Sequence, residues 1–461
     1  MRHQQELRPP VPTARAPLGR AGGETGPMPR IAVIGSGIAG LAAAHRLAPF
    51  AQVSLFEAGR HFGGHAHTVD VTLEGITHGV DTGFLVFNHR TYPKLVQLFE
   101  ALEVPTAPSE MSFSVQVPAT GLEWSGTDLN GVFAQRRNLL RPGFVGMLGQ
   151  IVRFNRIATA LAADPSDRRA WDEPIGDFLD RHRFGAAFRD GYFLPMIGSI
   201  WSCPTDQMLR FPVGTMVRFC HNHGLLQLTD RPQWHTVRGG SRHYVDKMLA
   251  SLDDKRLATP VRAVRRLPAG SGLAGVLVST DAGSERFDEV VLATHSDQSL
   301  ALLAQPTADE RAVLGAIRYQ PNRAVLHTDR SVLPASRRAW AAWNYERAAH
   351  PQREQAAVCL HYLINRLQPL PWTTEVLVSL NPARAIDPSR VLGSFDVEHP
   401  VFDRAAIEAQ RRLGSIQGHS RLWFCGAWAG YGFHEDGLSS GLAVADALLQ
   451  QQRAVAPAQA A

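Results

Sequence analysis

This chain of 461 residues is almost without lysine: of its 47 basic residues, only Lys94, Lys247 and Lys255 are not arginine. The arginines are spread along the chain instead of forming one stripe, which argues against a nucleic-acid surface. Cysteine is equally sparse. Cys203, Cys220, Cys359 and Cys425 lie far apart and form no CxxC pair. That excludes a disulfide framework and a zinc knuckle, and makes a reducing, cytoplasmic setting the expectation. The pairs His65-Ala66-His67 and His221-Asn222-His223 have no acidic or thiol partner set beside them, so no metal site is expected. No apolar run reaches the roughly 20 residues that would span a bilayer. Residues 1–28 are rich in Pro, Arg and Gly without an apolar core. They read as a disordered leader and not as a secretory signal, with Met28 as an alternative start.

What is present is ordinary for an α/β protein: 44% apolar residues and 40 glycines, in a length that allows two domains or one interleaved pair. Ordered structure begins with an apolar strand at Ile31, followed by the turn Gly35-Ser36-Gly37-Ile38-Ala39-Gly40 and an alanine-rich helix to Leu47. A second strand, Gln52–Phe56, ends at Glu57. In such a unit the first glycine makes the tight turn, the second lets a pyrophosphate approach the backbone, and the third lets helix and strand pack closely. The helix N-terminus offers amides and a positive dipole end to the phosphates. Glu57 stands where an acid receives a ribose hydroxyl.

Further strands are expected near 73–86, 112–117, 261–264, 275–279, 289–294, 324–328, 341–345, 358–364 and 375–380. Helices are expected over 128–228 and from Ser440 to Gln450. The fold class is therefore α/β: a discontinuous Rossmann-like domain (29–100, 230–300, 415–452) with an inserted α+β domain (101–229, 301–414) and a frayed tail (453–461).

After Glu57 the chain reads Ala58-Gly-Arg-His-Phe-Gly63-Gly64-His65-Ala66. This resembles the second flavin motif of the amine-oxidase and phytoene-desaturase superfamily, with histidines at 61 and 65 where arginines are common. Asp81-Thr-Gly83-Phe84 resembles the next strand, which passes the flavin ring in those enzymes, and Thr259-Pro-Val261 resembles the strand that meets the adenine. Near the end, Gly426-Ala427 and Gly437-Leu438-Ser-Ser-Gly441 resemble the superfamily's last flavin motif. The resemblance implies FAD held by residues 35–40, Glu57, Ala58, 63–66, Gly83, Phe84, Val261, Gly426, Ala427, Gly437 and Leu438. It also implies a segment Trp428–Gly437 lying over or beside the flavin ring.

His434 and Glu435 are the candidate acid/base residues; each could instead hydrogen-bond the turn. Trp201, Tyr431 and Phe433 are the candidate substrate-binding aromatics. Amine oxidases of the superfamily present a lysine from the later part of the chain, and none follows Lys255 here. The strings Gly432–Gly437, Trp201–Pro204 and His223–Leu226 resemble instead a bacterial family of NAD/FAD-binding proteins that accompany cyclopropane-fatty-acid-synthase-like methyltransferases.

That resemblance implies a lipid acyl substrate, desaturated on the way to a furan fatty acid, and a functional link to a fatty-acid methyltransferase. An allylic C–H is too weak an acid to lose its proton first, so hydride transfer to flavin followed by proton loss to a modest base is the expected course. The segment Phe133–Arg156, apolar and flanked by arginines, reads either as an interfacial element on the inner face of a membrane or as a buried helix. The alternatives in function are a flavin amine or carotenoid-type oxidoreductase, a nicotinamide-only dehydrogenase, and a non-catalytic lipid carrier with the fold of the GDP-dissociation inhibitors.

Overall fold

The computed structural model describes residues 28–164, 171–227, 231–268, 274–348 and 357–459, so the expected leader lies outside the described residues apart from Met28. Strand Arg30–Ile34 is buried at every residue after the first. A strand covered on both faces belongs in the middle of a parallel sheet, and that is its place. The sheet runs Asp254–Arg256, Gln52–Phe56, Arg30–Ile34, Glu289–Leu292, Leu422–Phe424, all parallel. Its strands come from three separate stretches of chain. The cradle helix, Ile38–Leu47, crosses between the first two strands and buries Leu41, Ala42, Ala43, Ala44 and Leu47.

The second sheet has seven strands in the order Val391–Val401, Arg318–His327, Leu377–Leu380, Cys359–Leu363, Trp343–Glu346, Phe113–Val117, Leu122–Ser125. Helices dominate the described residues between Asp128 and His223. The most prominent are an outer helix (Pro142–Ala163), Leu194–Trp201 and an aromatic helix (Val213–Asn222). One apolar core joins residues of both sheets to these helices, including Val33, Phe154, Phe219 and Val378. A smaller core, holding Ile34, Phe287 and Phe424, covers the other face of the parallel sheet.

Three details differ from the sequence reading. The strand expected near 73–86 is a hairpin, Thr68–Leu73 with Ile76–Asp81, turned by Glu74 at φ 51° and Gly75 at φ 77°. That pair of left-handed residues makes the turn that matches strand twist. The eleven-residue edge strand Val391–Val401, which raised no expectation, carries Gly393 and Pro400 and buries only Val401 fully. The last helix spans His434–Gln459, beginning before Ser440 because Asp436 Oδ2 accepts the Phe433 amide at 3.0 Å and caps it.

Candidate active site

The cradle forms where the Gly35–Gly40 turn meets three later segments. Gly35 has φ 101°, and a Cβ on Gly40 would stand 1.9 Å from the Gly35 carbonyl oxygen. Only glycine lets the helix start so close to the strand. Gly37, the N-cap, has no side-chain cap, and the first helical turn carries no acid. A Cβ there would meet nothing within 4 Å. The cradle helix therefore presents unclaimed amides to open space, which is what a pyrophosphate requires.

Glu57 lies beside this turn. Its Oε2 accepts from the Ser36 amide at 3.0 Å and from the Ser36 hydroxyl at 2.5 Å, and its Oε1 accepts from Gly59 N at 2.7 Å. A carboxylate has about four acceptor sites, so room remains for a ribose hydroxyl. Ala58 follows on the same turn. Thr259 N donates to the Glu57 carbonyl at 2.8 Å, which brings Val261 to this end of the site.

Gly63 pairs with Gly37 as an isolated bridge, and Gly64 follows at φ 58° with its Cβ direction 3.0 Å from Gly37 Cα. Ala66 is buried behind them. Phe84 N donates to the His65 carbonyl at 2.7 Å, and a Cβ on Gly83 would lie 2.2 Å from that same oxygen. His65 keeps its Nε2 covered and without a partner. Burial, with smaller repulsion from His295, His61 and His67, pushes its pKa down to about 4, so the ring is neutral.

The C-terminal helix closes the cradle. A Cβ on Gly437 would be 2.7 Å from Ile38 Cγ2, and one on Gly441 2.1 Å from the Ala39 carbonyl. Two backbones thus touch where the first and last glycine segments meet, with Gly426, Ala427 and Leu438 beside them. These features fit FAD: glycine-bounded amides for phosphates, an acid for a ribose, and two helix N-termini converging on one space.

The two candidate bases have definite partners. The His434 ring stacks on Phe84, with centroids 3.8 Å apart, and its Nε2 lies 2.7 Å from the Tyr244 hydroxyl. Burial pushes its pKa down to about 3. Glu435 turns away: its two oxygens accept from Lys94 N at 2.9 Å and Leu95 N at 3.0 Å, capping helix Pro93–Ala101. A carboxylate spent on two helix amides is a cap, and this placement corrects its reading as a base in the cavity. Asp436, which raised no expectation as a base, is pushed up to about 6 by burial, against the Phe433 and Tyr431 amides that favour its charge.

Trp201, Phe219, Tyr431 and Phe433 come together. Phe219 and Phe433 stack at 4.7 Å, Trp201 and Phe219 lie 4.8 Å apart, and Trp201 Nε1 donates to the Tyr431 carbonyl at 3.3 Å. Trp428 does not join them. It is buried in the smaller core, with its Nε1 donating to the Thr294 carbonyl at 3.1 Å.

The sequence reading passed over Tyr244 and His399, and took Asp81 only as the start of the strand beside the flavin ring. Asp81 is fully enclosed, accepting from Thr68, both the amide and the hydroxyl of Ser241, and Gln368. Burial still pushes it up to about 6. His399 packs against His65 with centroids 5.3 Å apart and is held through its Nδ1 by the Asn322 side-chain amide at 3.0 Å.

One more buried polar group lies in the seven-stranded sheet, where donor atoms of Glu346, Cys359 and His361 sit within 4.8 Å of one another. Its hydrogen bonds already close. The Asp329 amide donates to His327 Nδ1 at 3.0 Å, which leaves the proton on Nε2 for Ser379 Oγ at 2.7 Å. Ser379 in turn donates to His361 Nδ1 at 2.6 Å, and His361 Nε2 donates to Glu346 at 3.0 Å. Burial raises Glu346, but the hydrogen bond from His361 and the charge of Arg384 outweigh it and keep the carboxyl ionised.

Comparison with known proteins agrees with this geometry. The sequence profile of the flavin-containing amine oxidoreductases matches residues 38–346. A carotenoid phi-ring synthase of Streptomyces griseus is 29% identical over 327 residues, 66% of this chain. The chain spans about 60% of the length of that curated relative. Two solved structures share the fold. Cyclohexylamine oxidase from Brevibacterium oxydans has a TM-score of 0.64 at 15% identity, covering 93% of this chain and 100% of that one. A CLA-producing fatty acid isomerase from P. acnes has a TM-score of 0.62 at 14% identity, covering 92% and 98%.

Proposed function

The chain belongs to the flavin-containing amine oxidoreductase family and is an FAD-dependent oxidoreductase, and from that premise we propose that it dehydrogenates a lipid acyl chain. The observation that carries this reading is the aromatic cluster itself. Trp201, Phe219 and Phe433 pack within 4.7–6.4 Å of one another beside His434. The two acids at its edge are occupied, Glu435 by helix amides and Asp436 by the Phe433 amide. The rings present an apolar surface, which suits an acyl chain better than a protonated amine. Two relatives named above, one for a fatty acid and one for a carotenoid ring, fit an apolar substrate.

When bound, FAD supplies the two-electron acceptor. The chain's own residues supply the rest. Trp201, Phe219, Tyr431 and Phe433 hold the chain and exclude water. His434, neutral and fixed between Phe84 and Tyr244, takes the proton beside the oxidised carbon; a weak base suffices because that proton has become acidic. The substrate favoured by the family likeness is a methylated, unsaturated acyl phospholipid supplied by a methyl transfer and converted to a diene.

Anaerobic mixing of the purified flavoprotein with such a phospholipid, and separately with putrescine, tests the reading. Bleaching by the lipid, with a product two hydrogens lighter, supports it. Bleaching by the amine alone would sink it.

A further inference from the structure

Among the described residues nine large apolar side chains are exposed, and the four most exposed, Leu140 (87%), Leu129 (77%), Val152 (55%) and Leu139 (51%), share one stretch of chain. Val145 is the fifth member of this group. Soluble surfaces scatter such residues singly; gathered ones mark a contact. The outer helix buries Phe144, Met147, Ile151 and Phe154 inward and leaves Val145 and Val152, two turns apart, facing out.

The charge along this segment is one-sided. Between Asp128 and Asp164 the sequence holds Arg136, Arg137, Arg141, Arg153 and Arg156 and no acidic residue. These five arginines equal the chain's whole formal net charge of +5. None of them forms an ion pair among the described residues. Where they bond, they bond to neutral oxygens: Arg136 to the Phe133 carbonyl, Arg137 to the Gly121 carbonyl, Arg153 to the His182 carbonyl. Other arginines of the chain do pair with carboxylates, as Arg181 does with Glu173 and Arg262 with Asp281. Protruding leucines and uncompensated arginines on one segment match the acyl boundary and phosphates of an anionic bilayer, and among the described residues no helix is long and apolar enough to cross one.

A groove of about 460 Å³ opens on the same face, lined by Val152, Asn155, Arg156, Thr159, Ala160 and Leu226. Its inner lip, Leu226, follows the aromatic helix, whose Phe219 stacks on Phe433.

We propose that this face, from Leu129 to Ala163, docks the protein on an anionic lipid surface. The proposal is independent of which molecule is oxidised. Flotation of the full chain, loaded with flavin, on vesicles of dimyristoyl phosphatidylglycerol tests it, because saturated chains offer nothing to desaturate. We expect the protein to float with these vesicles at least tenfold better than with dimyristoyl phosphatidylcholine, less so as salt rises. The pair Arg136→Ser/Arg137→Ser should weaken binding about thirtyfold, from ~1 kcal/mol per arginine at such a surface. Leu139→Ser/Leu140→Ser should also release it, with flavin absorbance and melting temperature unchanged. Equal binding to both vesicles, or binding that neither pair weakens, overturns the proposal. So does a protein that stays in solution and forms a dimer that the leucine pair dissociates, since the face would then seat a second copy.

Discussion

Glu435 caps a helix that lies 340 residues earlier in the chain, its Oε2 accepting the Leu95 amide at 3.0 Å. The bond ties the first turn of the C-terminal helix to helix Pro93–Ala101, so this acid locks two parts of the molecule together. Glu435→Ala should cost about 1–2 kcal/mol in stability, measured by urea unfolding. The rate of anaerobic flavin reduction should stay within twofold of the parent. A hundredfold fall in that rate with unchanged stability would restore Glu435 as the base.

Two glycines three residues apart should behave oppositely. Gly40→Ala drives a Cβ to 1.9 Å from the Gly35 carbonyl, an overpacking that should cost about 3 kcal/mol or more. Gly37→Ala meets nothing within 4 Å, and Gly37 has φ −61°, open to any residue. The flavin-free Gly37→Ala chain should therefore unfold like the parent yet lose FAD on gel filtration. Equal flavin retention would mean that the open space at Gly37 is not the phosphate seat.

Acid should destabilise the protein. Burial holds His65, His223 and His327 at about 4 and His399 and His434 at about 3. In the unfolded chain these rings take a proton near 6.5. Between about pH 6.5 and 4 the unfolded state thus binds more protons, and stability falls as pH falls, by at most about 3 kcal/mol per ring. Asp81 and Asp436, both raised to about 6 by burial, work the other way, since their folded forms hold protons that the unfolded ones lose. Five rings outweigh two carboxyls. Urea midpoints measured from pH 7 to 5 should drop, and less steeply in His327→Asn, which keeps an acceptor for the Asp329 amide. A flat profile would contradict the buried, neutral state of these rings.

All four cysteines are buried, and burial pushes Cys203, Cys220 and Cys425 up to about 12. Thiols so protected are poor nucleophiles. A disulfide reagent such as DTNB should leave the native protein unmodified for hours and titrate every thiol in urea. Rapid reaction of one thiol in the native state would disprove this.

Local pattern made the cradle legible. Gly35, Gly37, Gly40 and Glu57 lie within one strand–turn–helix–strand unit, where each residue's task follows from its neighbours a few positions away. The expected union of the first and last glycine segments also rests on backbone closeness that glycine advertises, as at Gly441. What escaped the reading depends on partners far along the chain. Tyr244 meets His434 across 190 positions and Gln368 meets Asp81 across 287, and neither partner carries any local signature. Trp428 shares its segment with Tyr431 and Phe433, so sequence placed all three together; the turn between them sends the indole into the other core. The edge strand Val391–Val401 stayed hidden because Gly393 and Pro400 read as breaks, which an edge strand tolerates.

The close contact between Gly441 and the Ala39 carbonyl has a consequence for biosynthesis. The cradle's last wall is made by residues that leave the ribosome some four hundred positions after its first. A nascent chain can fold its opening strand and helix early, but it has no complete seat for the cofactor until synthesis has passed the Gly437–Gly441 turn. Cofactor loading is thereby a late event, and a chain truncated before that turn should emerge colourless.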